Sequence, residues 1–239
     1  MLTISYLLEQ PEQEFLDFKR DYHDNNALLV LDIICLANAK TPNDRFLIFG
    51  IEDKTHEVIG IENDTNRKNK QNIIDCLQGS KLNSIPIITM TTEILNGHEV
   101  DILCIHNTKN RPYFLLEDKI SHGKTVRAGV IYTRNGDTNT PINSTSSMSQ
   151  QQEIWREYFG LSLSPRERFD LYLKDLEGWT KESNNDDSWS YYYKAFPEFR
   201  LDIISKEIRG KTEFSEILDC CQYDIFLTYF STKLDYSLF

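Results

Sequence analysis

The chain has 239 residues, enough for one large or two small domains with a real core. Its net charge of −11 and sequence pI of about 5.0 exclude a general nucleic-acid coat protein, leaving room only for a local basic groove. No apolar run approaches the roughly 20 residues that span a bilayer, and the start, Met1 to Ser5, lacks the basic and long apolar stretch of a signal peptide, so a cytoplasmic protein with no membrane partner is expected.

A short helix is expected over 3–10, with Thr3 as N-cap and Pro11 closing it. Leu16 and Phe18 then alternate with Asp17 and Lys19, which reads as a short strand with one apolar and one charged face. Glu12 precedes Asp17 by five residues, a poor match to one helical face, so the two acids converge only through a turn before the strand. Asn25 and Asn26 cap a helix over 27–39, whose Leu28, Leu31, Ile34 and Cys35 recur at helical spacing. Phe46 to Ile51 is a continuous apolar run, hence a strand buried on both faces, ending in Glu52 and Asp53. It should form a hairpin with 57–61.

A loop with Arg67, Lys68 and Lys70 leads to a second helix over 72–82. Strands over 85–95 and 98–105 flank the hairpin turn Asn96-Gly97, and a further pair is expected over 112–116 and 124–134. Helices and strands mix without regular alternation, so the fold class is α+β: a mixed sheet with flanking helices over 1–142. Residues 143–152, rich in Ser, Thr, Asn and Gln, read as a linker, and 153–239 as a smaller, all-helical C-terminal domain. Its Ile154, Trp155, Tyr158 and Phe159 share a helical face. Ser164-Pro165 opens another helix, and Ile217, Leu218, Cys221, Ile225, Phe226 and Tyr229 keep helical spacing. The aromatics from Trp189 to Phe199 suit either a core or base stacking, the core being the simpler account.

If the strand of Leu16 pairs beside that of Phe46, Glu12, Asp17 and Asp53 can reach one place, where a hard divalent cation, Mg2+ or Mn2+, would relieve their repulsion. The plainer account is three solvated surface acids. Lys19 and Arg20, the Arg67–Lys70 cluster, Arg111, Arg127 and Arg134 are candidate phosphate contacts, with an ion pair to Asp17 the competing role for Lys19. The five cysteines form no Cys-x-x-Cys, the five histidines no His-x-x-x-His, and neither a phosphate-cradling glycine loop nor a Gly-x-Ser-x-Gly elbow occurs. His23, soon after the acidic strand, could carry a proton.

Taken in order, Glu12, Leu16-Asp17-Phe18-Lys19, Leu36-Ala37-Asn38-Ala39, Ile48 to Asp53 and Val58-Ile59-Gly60-Ile61 resemble the Schlafen AlbA-type domain. Arg111-Pro112-Tyr113-Phe114 and Val126-Arg127-Ala128-Gly129 extend the likeness. The resemblance implies a metal-dependent endoribonuclease acting on structured RNA such as tRNA, in stress or anti-phage defence. Glu12, Asp17 and Asp53 would be its catalytic, metal-holding acids, with Asp in place of the usual Glu at position 17. It also implies a homodimer, since two such lobes form the clamp in animal relatives. The rival expectation is a non-catalytic nucleic-acid-binding regulator or a partner-binding subunit of a defence complex.

Overall fold

The computed structural model describes residues 4–108, 110–185, 188–207 and 221–238. The chain divides into two compact units, Met1–Tyr158 and Phe159–Phe239.

The first unit is built on a four-stranded mixed sheet of β1 (Leu16–Lys19), β2 (Arg45–Phe49), β3 (Ile88–Leu95) and β4 (His98–Ile105), in the order β1-β2-β4-β3. β1 and β2 run parallel, with Asp17 beside Leu47 and Lys19 beside Phe49. They are joined by helix α1 (Asn26–Asn38), since parallel neighbours need a crossover. β4 lies antiparallel to both β2 and β3. All five residues of β2 are buried because both faces of the sheet are covered, which explains its unbroken apolar run. On one side Leu47, Phe49 and Leu103 pack with Leu29, Ile33 and Leu36 of α1. On the other, Phe18, Ile48 and Ile102 pack with Leu7 of the short helix Ile4–Leu8.

Asn25 caps α1 by accepting from the Ala27 N–H, as its sequence position suggests. At the far end Asn38 is a buried clasp: its amide donates to the carbonyls of Tyr113 and Tyr132, both at 2.8 Å, and accepts from the Tyr113 N–H at 2.7 Å. Those bonds tie the Arg111-Pro112-Tyr113 segment to the helix. Gly50, at φ +98°, lets the chain leave β2 where a Cβ would stand 3.2 Å from the Glu99 carbonyl. Helix α2 (Lys70–Gln78) starts two residues before its expected position, capped reciprocally by Asn69 and Asn72.

Several expected strands are shorter. Residues 57–61 contribute one bridge, Ile51 to Val58. The pair expected over 112–116 and 124–134 is replaced by two small hairpins, β5 (Lys119–Ser121) with β6 (Lys124–Val126) and β7 (Arg134–Asn135) with β8 (Thr138–Asn139). Helix α3 (Met148–Tyr158) begins inside the polar stretch read as a linker and belongs to the first unit.

The second unit corrects the all-helical expectation. Its helix α4 (Pro165–Tyr172) has the Ser164 cap and Pro165 foreseen, and Glu167 completes a reciprocal cap by accepting from the Ser164 N–H. Among the described residues, the rest of its regular structure, one 3-10 turn aside, is an antiparallel meander of β9 (Trp179–Asn185), β10 (Ser188–Tyr193), β11 (Phe196–Glu207), β12 (Cys221–Tyr229) and β13 (Thr232–Leu238). Ile217 and Leu218 lie outside the described residues. Ile225, Phe226 and Tyr229 also fit a strand: Ile225, Leu227 and Tyr229 alternate and pair with Ile203, Leu201 and Phe199. Their β-branched and aromatic side chains favour a pleated surface. The aromatics form the core, with Phe169, Tyr172, Phe199 and Leu227 buried together and Trp179, Tyr193 and Phe196 against them.

Candidate active site and nucleic-acid interface

Immediately before β1 the chain folds back. Gln13 and Leu16 exchange both backbone bonds, at 3.2 and 3.1 Å, so Glu12 returns alongside β1 and its Oε1 accepts from the Phe18 N–H at 2.7 Å. This turn brings Glu12 and Asp17 together despite their unfavourable spacing, and the two carboxyls interact directly. Asp17 is 2% exposed. Its Oδ1 is 3.2 Å from Arg134 Nη1 and its Oδ2 2.6 Å from Lys19 Nζ.

Arg134 is a buried organiser. Its guanidinium donates to the carbonyls of Gln13 and Leu16 and to Asn139 Oδ1, and stands 3.8 Å from Glu12 Oε2. Lys19 continues the chain to Asp32 of α1, 3.9 Å away, and Asp32 is also held by His23 Nε2 at 2.7 Å and the Asn139 amide at 2.8 Å. Three acids and two cations thus alternate beneath β1. Burial pushes the Glu12 carboxyl up to about 7, reinforced by Asp17 and opposed by the Phe18 N–H and Arg134. Burial alone would lower the Lys19 ammonium, but Asp32 and Asp17 outweigh it and hold it above its ordinary value. Burial would likewise raise Asp32, yet the bond from His23 and the charge of Lys19 keep it low.

Asp53 does not join them. It is exposed, in the turn closed by the Glu52–Glu57 and His56–Glu52 backbone bonds. That turn is anchored by the His56 ring, 4.6 Å from the ring of Phe18, on the face opposite Asp17, because successive strand residues point to opposite faces. A Mg2+ or Mn2+ centre of Glu12, Asp17 and Asp53 therefore does not fit: one acid is elsewhere, and Arg134 and Lys19 already neutralise Asp17. Among the described residues, the ligand-type cluster that converges is instead Asp44, Cys104 and His106. There burial and Asp44 push the Cys104 thiol up to about 11.

The candidate phosphate contacts also separate. Arg67 is a staple: it grips the fully buried Asp101 through Nε and Nη2, at 3.0 and 2.9 Å, and pairs with Glu99. Arg111 donates to the Ala39 carbonyl at the end of α1 and pairs with Glu157. Arg20 is exposed, 3.5 Å from Glu52, and Arg127 is exposed just after β6. Lys68 and Lys70 border open space. Two adjoining troughs, about 520 and 420 Å³, share Arg67, Lys68 and Asn72. Asn26, Thr65 and Asn66 line the larger, and Asn69, Lys70 and Thr92 the smaller. At the wall of the larger trough burial raises the Cys76 thiol, while the charges of Lys119 and Lys68 both act to lower it.

Sequence reasoning missed Asp32, whose signal is a lone acid inside an apolar helix, and the run of asparagines along the troughs. Asp44 with Cys104 and His106 is equally silent in helical spacing, because Cys104 and His106 are two apart, which is a strand period.

No curated protein matches the chain. Among solved structures it is similar to the DIP2311 protein of Corynebacterium diphtheriae, at 20% identity and a TM-score of 0.37 over 65% of this chain and 25% of that one. It is also similar to the N-terminal domain of a protein from Nitrosomonas europaea related to the ATP-dependent DNA helicase RecG, at 16% identity and a TM-score of 0.36 over 54% and 90%. The chain thus spans about a quarter of the first of these. Among the described residues no helix is long and apolar enough to cross a membrane. The profile of the family described as Schlafen, AlbA_2 matches residues 12–143, from Glu12 through β8, which is more than half of the chain and holds both the charge chain and the troughs. By that match, the chain belongs to the Schlafen AlbA_2 family.

Proposed function

We propose that residues 12–143 bind nucleic acid, with structured RNA such as tRNA the partner class, and that the backbone of the strand lies along the two troughs on either side of Lys68. The observation that carries this is the position of Lys68, which borders both troughs. Phosphate contacts need only local positive potential, which Lys68 and Lys70 supply in an otherwise acidic chain. The amides of Asn26, Asn66 and Asn72 and the Thr65 hydroxyl offer neutral donors and acceptors to sugar hydroxyls and phosphate oxygens. The trough floor is rigid, because Asp101 receives Arg67, Tyr22 and Thr92 together.

The test is binding of fluorescently labelled total tRNA. Lys68→Glu with Lys70→Glu should weaken binding at least about tenfold, since each replaces an attraction with a repulsion. Equal affinities of wild type and double variant would remove the trough from the account.

A second reading, cleavage of the bound strand, is favoured by Glu12. Its carboxyl is partly exposed, and its pKa near 7 suits proton transfer at neutral pH. Helix α1 links the two regions: Asn26 borders the trough and Asp32 ends the charge chain, six residues or about 9 Å apart along the axis. Glu12 would take the proton of an attacking hydroxyl while Lys19 offsets charge nearby. Incubation with tRNA, with added Mn2+ or with EDTA, separates the readings. Cuts lost in Glu12→Gln support cleavage; intact tRNA in every arm leaves binding alone.

A further inference from the structure

The geometry points to a second, transition-metal site on this chain, formed by Asp44, Cys104 and His106 and suited to Zn2+ or Co2+. It is independent of the nucleic-acid reading. The sheet register builds it. β2 and β4 are antiparallel with Arg45 opposite Ile105 and Phe46 opposite Cys104, so Asp44, one step before β2, comes opposite His106. Cys104 and His106 are two apart on β4 and its extension, hence on one face.

The ligand atoms already lie near the required spacing. Asp44 Oδ2 is 3.1 Å from His106 Nδ1 and 3.8 Å from Cys104 Sγ, and Sγ is 4.0 Å from Nδ1. Tetrahedral zinc with Zn–S of about 2.3 Å and Zn–N and Zn–O of about 2.0–2.2 Å sets its ligands about 3.3–3.6 Å apart. A shift of a few tenths of an ångström per side chain completes the site.

The surroundings orient these atoms. Thr89 Oγ1 is 3.1 Å from His106 Nε2, which directs Nδ1 toward the cluster. The Asn107 N–H takes Asp44 Oδ1 at 2.7 Å, leaving Oδ2 for an ion, and Arg45 Nη1 in turn holds the Asn107 side chain at 2.7 Å. A thiolate, an imidazole and one carboxylate form a borderline-soft set that favours Zn2+ over Mg2+ or Mn2+. All three residues are partly exposed, so a fourth position stays open to water or to an oxygen of a bound molecule.

The experiment is titration of the chelator-treated, full-length protein with Co2+. One equivalent should give the visible bands of a four-coordinate ion and a near-ultraviolet sulfur-to-cobalt band, both abolished by one equivalent of Zn2+. Cys104→Ser should remove the sulfur band, whereas Cys76→Ser, outside the cluster, should keep it. Thr89→Val should weaken Zn2+ about tenfold or more through loss of the His106 partner. A wild-type spectrum without four-coordinate bands, or a sulfur band that survives in Cys104→Ser, would overturn the proposal. The wild-type spectrum decides even if a variant fails to fold.

Discussion

Arg134 and Lys68 each carry a positive charge next to acid-bearing segments, yet the fold puts them to different uses. Arg134 is 3% exposed and spends its donors on Gln13, Leu16, Asn139 and Asp17. Lys68 sits at the lip of two troughs, its Nζ donating to the Asn66 carbonyl at 3.1 Å. A buried cation whose donors are all engaged holds a fold together, and one at an open lip can meet a ligand. That difference separates the phosphate candidates named from the sequence: Arg67, Arg111 and Arg134 are engaged within the fold, while Lys68 and Lys70 line the troughs where the proposed strand would lie.

The sharpest way to break this comparison is Arg134→Met. It leaves Asp17 buried with one partner fewer, and the expected loss is about 3–5 kcal/mol, read by denaturant unfolding. A loss under about 1 kcal/mol, the range of exposed ion pairs, would show that the charge chain is not organised around the guanidinium. Asn38→Ala should follow at about 2–3 kcal/mol, because two carbonyls and one N–H lose their buried partner.

How much of this was legible in the sequence depends on how locally each feature is encoded. The β1 alternation, the doubly buried β2 run and the Asn25 and Ser164 caps are local patterns and reappear in the fold. The meeting of Glu12 with Asp17 was also readable, since spacing demanded a turn. The cost of that meeting was not: nothing near Asp17 announces Arg134, which arrives from more than a hundred residues away. Asp53 was misplaced for the same reason, because its turn is drawn to the Phe18 face by His56. The C-terminal strands were read as helix where Ile225 and Tyr229, four apart, satisfy both periods, and only pairing with β11 decides between them.

Glu12→Gln tests the electrostatics more finely. The folded protein holds the Glu12 proton to about 7 against an ordinary 4.5. A raised value favours the folded state below about 4.5 and loses that advantage as pH climbs through about 7. Stability of the wild type should therefore fall across that window, while Glu12→Gln, which still accepts from the Phe18 N–H, should lack this fall. Relative to acid pH, the variant gains about 2 kcal/mol above neutrality. Parallel pH profiles for the two proteins would place Glu12 in water rather than beside Asp17. Lys68→Ala is the mildest change, expected to move stability by less than about 0.5 kcal/mol.

The salt dependence of tRNA binding, compared between wild type, Lys68→Ala and Lys70→Ala, addresses the role of the trough most directly. Each lysine that meets a phosphate contributes about 0.7–0.9 to the slope of log affinity against log salt, so each variant should flatten the slope by that amount while unfolding like the wild type. Unchanged slopes in both variants would contradict the assignment of this surface to nucleic acid.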